Sequence, residues 1–128
     1  MLKNMYDENW QPIKLIFDYK FSNWNEVINI NRMNRFAGAS LKKKEMKIAK
    51  MFLQDKPKIL HYPITINCTW YVKNLNSDLD NKCIKPILDA MQELGILEND
   101  NIKHIEAINH KAVKADKDYL EMEIIWNS

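Results

Sequence analysis

The stretch ITINCTWYV, residues 64–72, is the most regular run in the chain, and the segment from Asp78 to Leu94 that follows it changes period. Ile64, Ile66, Cys68, Trp70 and Val72 alternate with Thr65, Asn67, Thr69 and Tyr71. An exact period of two predicts a β-strand with one buried face. After the polar break Asn74–Ser77, the residues Ile84, Ile87, Leu88, Met91 and Leu94 recur at helical spacing, and Gly95 stands where a helix commonly stops. Pro86 has no N–H to give to a helix interior, so it must lie within the first turn. That puts the helix start near Asn81 to Cys83, with Asp80 just before it.

Other elements are read outward from this strand and helix. Ile13–Tyr19 alternates and predicts a strand. Between Lys20 and Ala39 the periodicity is lost and five asparagines appear, at 23, 25, 29, 31 and 34, which reads as a long ordered loop. Ser40 is then a suitable N-cap for a helix from Leu41 to about Gln54. Leu41, Ile48, Ala49 and Phe52 form its apolar stripe, Lys43, Lys44, Lys47 and Lys50 its outer face, and Lys56-Pro57-Lys58 its end. Beyond Gly95, a turn over Ile96–Asn101 leads to an expected hairpin of Ile102–Asn109 and Tyr119–Trp126. The charged loop HKAVKADKD joins its two strands. The order is β-loop-α-β-α-β-β. It predicts one small α/β (α+β) domain over residues 1–128, with a mixed sheet of about four strands and two main helices.

With 128 residues and 46% hydrophobic side chains, the chain has enough apolar material for one core. It contains no apolar run approaching the ~20 residues of a membrane span. Its first residues carry acids where a secretory leader needs an apolar stretch. Two cysteines make no disulfide framework. A soluble, cytoplasmic protein is expected. The net charge of +2 conceals an asymmetry. Residues 1–58 carry 12 basic and 6 acidic side chains, or +6, whereas residues 59–128 carry 7 and 11, or −4. A basic half attracts a polyanion such as nucleic acid. A cluster of carboxylates repels one unless a cation lies between.

Asp78 and Asp80 are two residues apart, and an extended chain would point both carboxylates to one side. Asp100 follows the helix and returns to them if a strand lies beside the one leading to Asp78. Oxygen ligands without His or Cys suit Mg²⁺ or Mn²⁺ rather than zinc. Lys85 stands where it could meet a phosphate. By spacing alone the plainer reading comes first. In it Asp78 and Asp80 cap a helix, Asp100 belongs to a turn, and Lys85 pairs with Asp89 four residues on.

The order Asp78-Leu79-Asp80-Asn81, then Lys85 four residues before Asp89-Ala90, then Gly95 and Asn99-Asp100 resembles the RusA family of Holliday-junction resolvases. The resemblance implies a homodimeric, Mg²⁺-dependent endonuclease, often of phage or prophage origin, that resolves four-way DNA junctions by paired cuts. It implies metal-binding carboxylates at Asp78, Asp80 and Asp100 and an essential lysine at Lys85. Asp89 matches a family position without an assigned role. This chain has Asn99 where members commonly have the first of two aspartates. Arg32, Arg35, Lys43, Lys44, Lys47 and Lys50 are the candidate DNA contacts, each equally readable as a solvated surface charge. Two other readings stay open: a non-catalytic nucleic-acid-binding module, and a metal nuclease acting on flaps or other branched DNA. His61, His104 and His110 lack metal-ligand spacing, and Cys68 and Cys83 read as structural. Trp10 and Trp24 lie in irregular stretches, where packing or base stacking are the choices.

Overall fold

The computed structural model describes residues 11–127, so Trp10 lies outside them. The alternating run forms strand β2 (Ile64–Val72), and Ile64, Ile66, Cys68, Trp70 and Val72 on its apolar face are all buried. β4 (Tyr119–Trp126) pairs antiparallel along one side of β2, setting Leu120 opposite Trp70. β1 (Ile13–Phe17) pairs antiparallel with the far side of β4. β3 (Ile105–Lys114) runs parallel to β2 on its other side, giving the order β1-β4-β2-β3. The α+β class and mixed four-stranded sheet agree with the sequence expectation.

Two local expectations are corrected. The last two strands are consecutive but are not hairpin partners, because β2 lies between them. β3 also begins later and runs on through His110–Lys114, half of the stretch read as a loop. Residues 115–118 then cross the end of β2, where Ala115 N–H donates to the Val72 carbonyl (2.9 Å) and Lys73 N–H to Asp118 Oδ1 (3.2 Å). As an edge strand with charged residues, β3 carries the lysines that discourage pairing with another chain, and its weak apolar pattern follows from that position.

The second correction concerns residues 20–39. They hold helix α1 (Trp24–Met33) and the first turn of α2 (Arg35–Phe52), so the domain has three helices. Two of the asparagines read as loop residues, Asn23 and Asn34, are helix caps, and the other three lie within α1. Asn23 Oδ1 accepts from Glu26 N–H while Glu26 Oε1 accepts from Asn23 N–H, a reciprocal capping box. Asn34 ends α1 and caps α2, accepting from the N–H groups of Phe36 and Ala37. Ser40 is therefore interior to a helix. Gly38 lies where α1 meets α2. A Cβ there would collide with the Asn31 side chain, so the glycine permits this close approach.

α3 (Lys85–Glu93) starts later than expected, with Pro86 in its first turn and a 3-10 turn (Leu79–Asn81) standing separately ahead of it. Gly95, at φ +75°, ends it as the sequence predicted. α2 and α3 cover one face of the sheet. Ala49, Leu53, Ile87 and Met91 pack there with Leu15, Phe17, Leu120 and Met122. Phe17 meets Phe21 and Phe52 edge-on, with ring centroids 6.0 Å apart in each pair. Burying each such side chain contributes about 1.5–3 kcal/mol. The helix stripe carrying the basic residues is held in place by this packing. Among the described residues no helix is long and apolar enough to cross a membrane.

Candidate functional site

The acidic motif lies on the short chain between β2 and α3. Asp78 is extended (φ −80°, ψ 120°) and precedes the 3-10 turn that contains Asp80. The alternation of an extended strand therefore does not govern these two carboxylates. Both residues are exposed, and among the described residues neither carboxylate has a hydrogen-bond or ion-pair partner. The turn itself is anchored. Asn81 Oδ1 accepts from the backbone N–H of Asn25 in the first turn of α1 (3.1 Å), and Lys82 Nζ sits 5.5 Å from the centre of the Trp70 ring. Asn81 thus fastens the acidic turn to α1, a role that sequence spacing did not reveal.

Lys85, the first residue of α3, is shared between two acids. Its Nζ lies 3.0 Å from Asp89 Oδ1 and 3.1 Å from Asp100 Oδ2. The i,i+4 pair of the plain reading is present, whereas Asp100, expected beside Asp78 and Asp80, is paired with Lys85 instead. Hydrogen bonds to Asp89 and then Asp100 raise the Lys85 pKa, against the opposing effect of burial. The hydrogen bond from Lys85 is the main cause holding the Asp100 carboxyl below its ordinary 3.8. Because the folded pKa of Asp100 is depressed, its stabilising contribution is present above pH 3.8 and is lost as pH falls through the lower folded value. Lys85 behaves in the mirror sense: its contribution holds below pH 10.5 and is lost as pH rises through the higher folded value. Lys85→Met should move the Asp100 carboxyl up, read by carbon-detected NMR titration, while costing at most about 1 kcal/mol because the pair is half-exposed. An Asp100 titration unchanged in this variant would contradict the contact.

The candidate cations divide by surroundings. Lys43, Lys44 and Lys47 are exposed on the outer face of α2, and Arg32 is exposed in the last turn of α1. Lys50 instead reaches across to α3 and pairs with Glu93 Oε1 at 2.7 Å, which offsets its charge. Arg35 lines a recess of about 360 Å³ between α1, α2 and the start of α3, together with Lys42 and Lys85. At its base is Glu45, 1% exposed on the inward face of α2 between Gly38 and Ala49. Its carboxylate accepts from Ser22 N–H (2.9 Å) and Ser22 Oγ (3.2 Å). Burial, and next the charge of Glu45 and a hydrogen bond to it, raise the Tyr19 hydroxyl pKa. Sequence reasoning missed Glu45. The signal for Glu45 was its place inside the stripe Leu41, Ile48, Ala49, Phe52, where a solvated acid does not belong.

Asn99 serves the turn, accepting from Asn101 N–H at 2.9 Å. His104 packs on Tyr62 and contacts Asn101 and Glu98 rather than Asp100. His110 accepts a hydrogen bond from Trp70 Nε1 at 2.9 Å, and burial lowers its pKa, so the neutral ring is a packing partner. Cys68 is in the core with its pKa pushed up to about 12, and burial raises that of Cys83. Both thiols are thereby poor nucleophiles.

Among the described residues no three His, Cys, Asp or Glu side chains gather as a metal-binding group. Asp100 is held by Lys85 apart from any such group. Asp78 and Asp80 by themselves fit a hydrated hard cation in donor type and openness, since Mg²⁺ is commonly held by one or two carboxylates, waters and substrate phosphates. The arrangement offers two open carboxylates on the acidic turn, a lysine fixed between two acids, and a cation-lined recess that the same lysine borders. No protein-family model matches this chain, and no curated protein matches it.

Proposed function

We propose that the protein is a Mg²⁺-dependent endonuclease of branched DNA, a RusA-like resolvase acting as a homodimer on four-way junctions. The observation that carries this reading is the 3.1 Å contact between Lys85 and Asp100, which sets the motif's lysine beside its last acid although most of a helix separates them in sequence. Asp78 and Asp80 would hold the ion, which supplies an acidified water and charge neutralisation at the phosphate. Lys85, kept protonated by Asp89 and Asp100, offers a fixed positive charge to a phosphodiester oxygen. Asp100 orients that ammonium through the same contact. Arg32, Arg35, Lys43, Lys44 and Lys47 supply the field that draws DNA toward acidic groups that would otherwise repel it. Two copies related by a two-fold axis would present one site to each of two strands.

One observation favours a second reading, a nucleic-acid-binding module without catalysis: no three acids gather among the described residues. The experiment is incubation of the purified chain with four-way, flap and linear DNA, with Mg²⁺ and with a chelator. Paired symmetric cuts in the four-way substrate that need Mg²⁺ are expected. Binding without cutting on every substrate favours the module, and cutting confined to flaps moves the substrate assignment.

A further inference from the structure

The recess beneath α1 differs in kind from the open acidic turn. Its volume of about 360 Å³ falls in the range of small-ligand sites. Part of its wall is apolar, from Trp24, Val27, Leu41 and Pro86, and Trp24 keeps 41% of its surface exposed there. Both acids that line it are internally engaged, Asp89 by Lys85 and Glu45 by Ser22. Arg35 and Lys42 also line it, and among the described residues neither has an ion-pair partner. Two unpaired cations therefore stand beside an open indole and an apolar wall. An inorganic anion would use the cations and leave the wall idle. A nucleotide unit, with a flat ring joined to a phosphate, uses both.

We propose that this recess binds a single unstacked nucleotide unit of a DNA strand, its base against Trp24 and Pro86 and its phosphate at Arg35 and Lys42. Asn31, seated over Gly38 in the same wall, presents a carboxamide for the edge of the base. The Asn81–Asn25 hydrogen bond ties the acidic turn to the residue next to Trp24, so a nucleotide held here neighbours the proposed cutting site. A branch point has the bases that cost least to unstack, which makes the recess a source of preference for branched over linear DNA. The inference rests on the branched-DNA reading and names the part of the substrate that the site takes.

Calorimetric titration with dAMP, deoxyribose 5-phosphate and inorganic phosphate tests it. dAMP should bind at least roughly tenfold more tightly than deoxyribose 5-phosphate, the effect of one base stacking on an aromatic ring. Trp24→Ala should reduce dAMP to the sugar-phosphate level and Trp24→Phe should restore most of the difference. Arg35→Gln with Lys42→Gln should weaken all three ligands. Equal affinity for dAMP and inorganic phosphate, indifference to Trp24→Ala, or no binding of dAMP overturns the proposal. A second arm places 2-aminopurine at the branch of a four-way junction in chelator. A fluorescence change with the wild type that Trp24→Ala abolishes assigns the recess to the DNA strand. Binding of dAMP without that change assigns it to free mononucleotides and overturns the DNA assignment. Failure of junction cleavage with dAMP binding intact removes the nuclease reading alone. Normal cleavage by both wild type and Trp24→Ala without dAMP binding removes this one alone.

Discussion

Asp80→Asn should reduce Mg²⁺-supported junction cleavage by at least about 100-fold, since even groups one shell removed from a metal cost 10–100-fold when replaced. The same substitution should leave stability within about 0.5 kcal/mol of the wild type, because Asp80 is exposed and its carboxylate has no partner among the described residues. Removing one of two neighbouring like charges can only relieve repulsion in the folded chain. This separation of effects is what distinguishes a ligand from a structural acid. A carboxylate that caps or pairs contributes to folding, and its loss lowers both quantities together. Asp55→Asn is the matched control. Asp55 sits beyond the far end of α2 at φ 61°, a left-handed conformation that asparagine tolerates, so activity and stability should both persist. The measurements are single-turnover cutting rates and urea midpoints for the three proteins. Wild-type cutting by Asp80→Asn would remove the carboxylate from the chemistry.

The basic and acidic halves of the chain, read as +6 and −4, do not stay apart in the fold. Lys50 from the basic half meets Glu93 from the acidic half, and the acidic turn is tied by Asn81 to α1 in the basic half. The sums therefore described composition well and partnership poorly, because neutralisation depends on which side chains face each other across α2 and α3. Of the candidate DNA contacts, those left without an ion pair among the described residues are Arg32, Lys43, Lys44 and Lys47 outside and Arg35 in the recess, where Lys42 joins it.

Legibility followed burial. β2 and β4 were readable to the residue because each has one buried face, which forces strict alternation. α3 was readable from its apolar face, Pro86 and Gly95, although its start, placed near Asn81 to Cys83 from Pro86, lies at Lys85. α1 was hidden because it buries no residue fully, so its weak stripe of Trp24, Val27 and Ile28 did not stand out among asparagines. The cue was present as Asn23 followed by Glu26 three residues on, a capping pair rather than turn chemistry. β3 was misassigned because an exposed edge strand need not alternate, and because consecutive strands were paired by default when β2 in fact lies between them. For the site, spacing gave the Lys85–Asp89 pair, but the Lys85–Asp100 contact was not foreseen, because the sequence reading set Asp100 with Asp78 and Asp80. The recess was invisible in sequence, since Trp24, Arg35, Lys42 and Lys85 share no local pattern and meet only through helix packing.

Glu45→Ala should be the most damaging change of a charged residue in the helical layer, lowering stability by about 3 kcal/mol and the melting temperature by about 10 °C. Glu45 is fully enclosed, so its carboxylate depends on protein donors in place of water. Ser22 supplies two of them, its N–H at 2.9 Å and its Oγ at 3.2 Å. Hydrogen bonds to a charged group contribute about 1.5–3 kcal/mol each, and a donor left without an acceptor in a dry site adds its own cost. Alanine removes the acceptor and leaves the Ser22 N–H without its partner at the base of the recess. Glu45→Gln keeps one carbonyl oxygen for that N–H and should recover about half of the loss. Ser22→Ala removes the hydroxyl but keeps the N–H, so it should cost less than Glu45→Ala. The order Glu45→Ala, then Glu45→Gln and Ser22→Ala, read from urea unfolding at neutral pH, locates the energy in the carboxylate-to-backbone contact. A Glu45→Ala protein as stable as the wild type would mean that this contact is not what holds α2 to the chain at Ser22. The base of the recess would then have to be fixed by apolar packing around Ala49 and Phe52 alone.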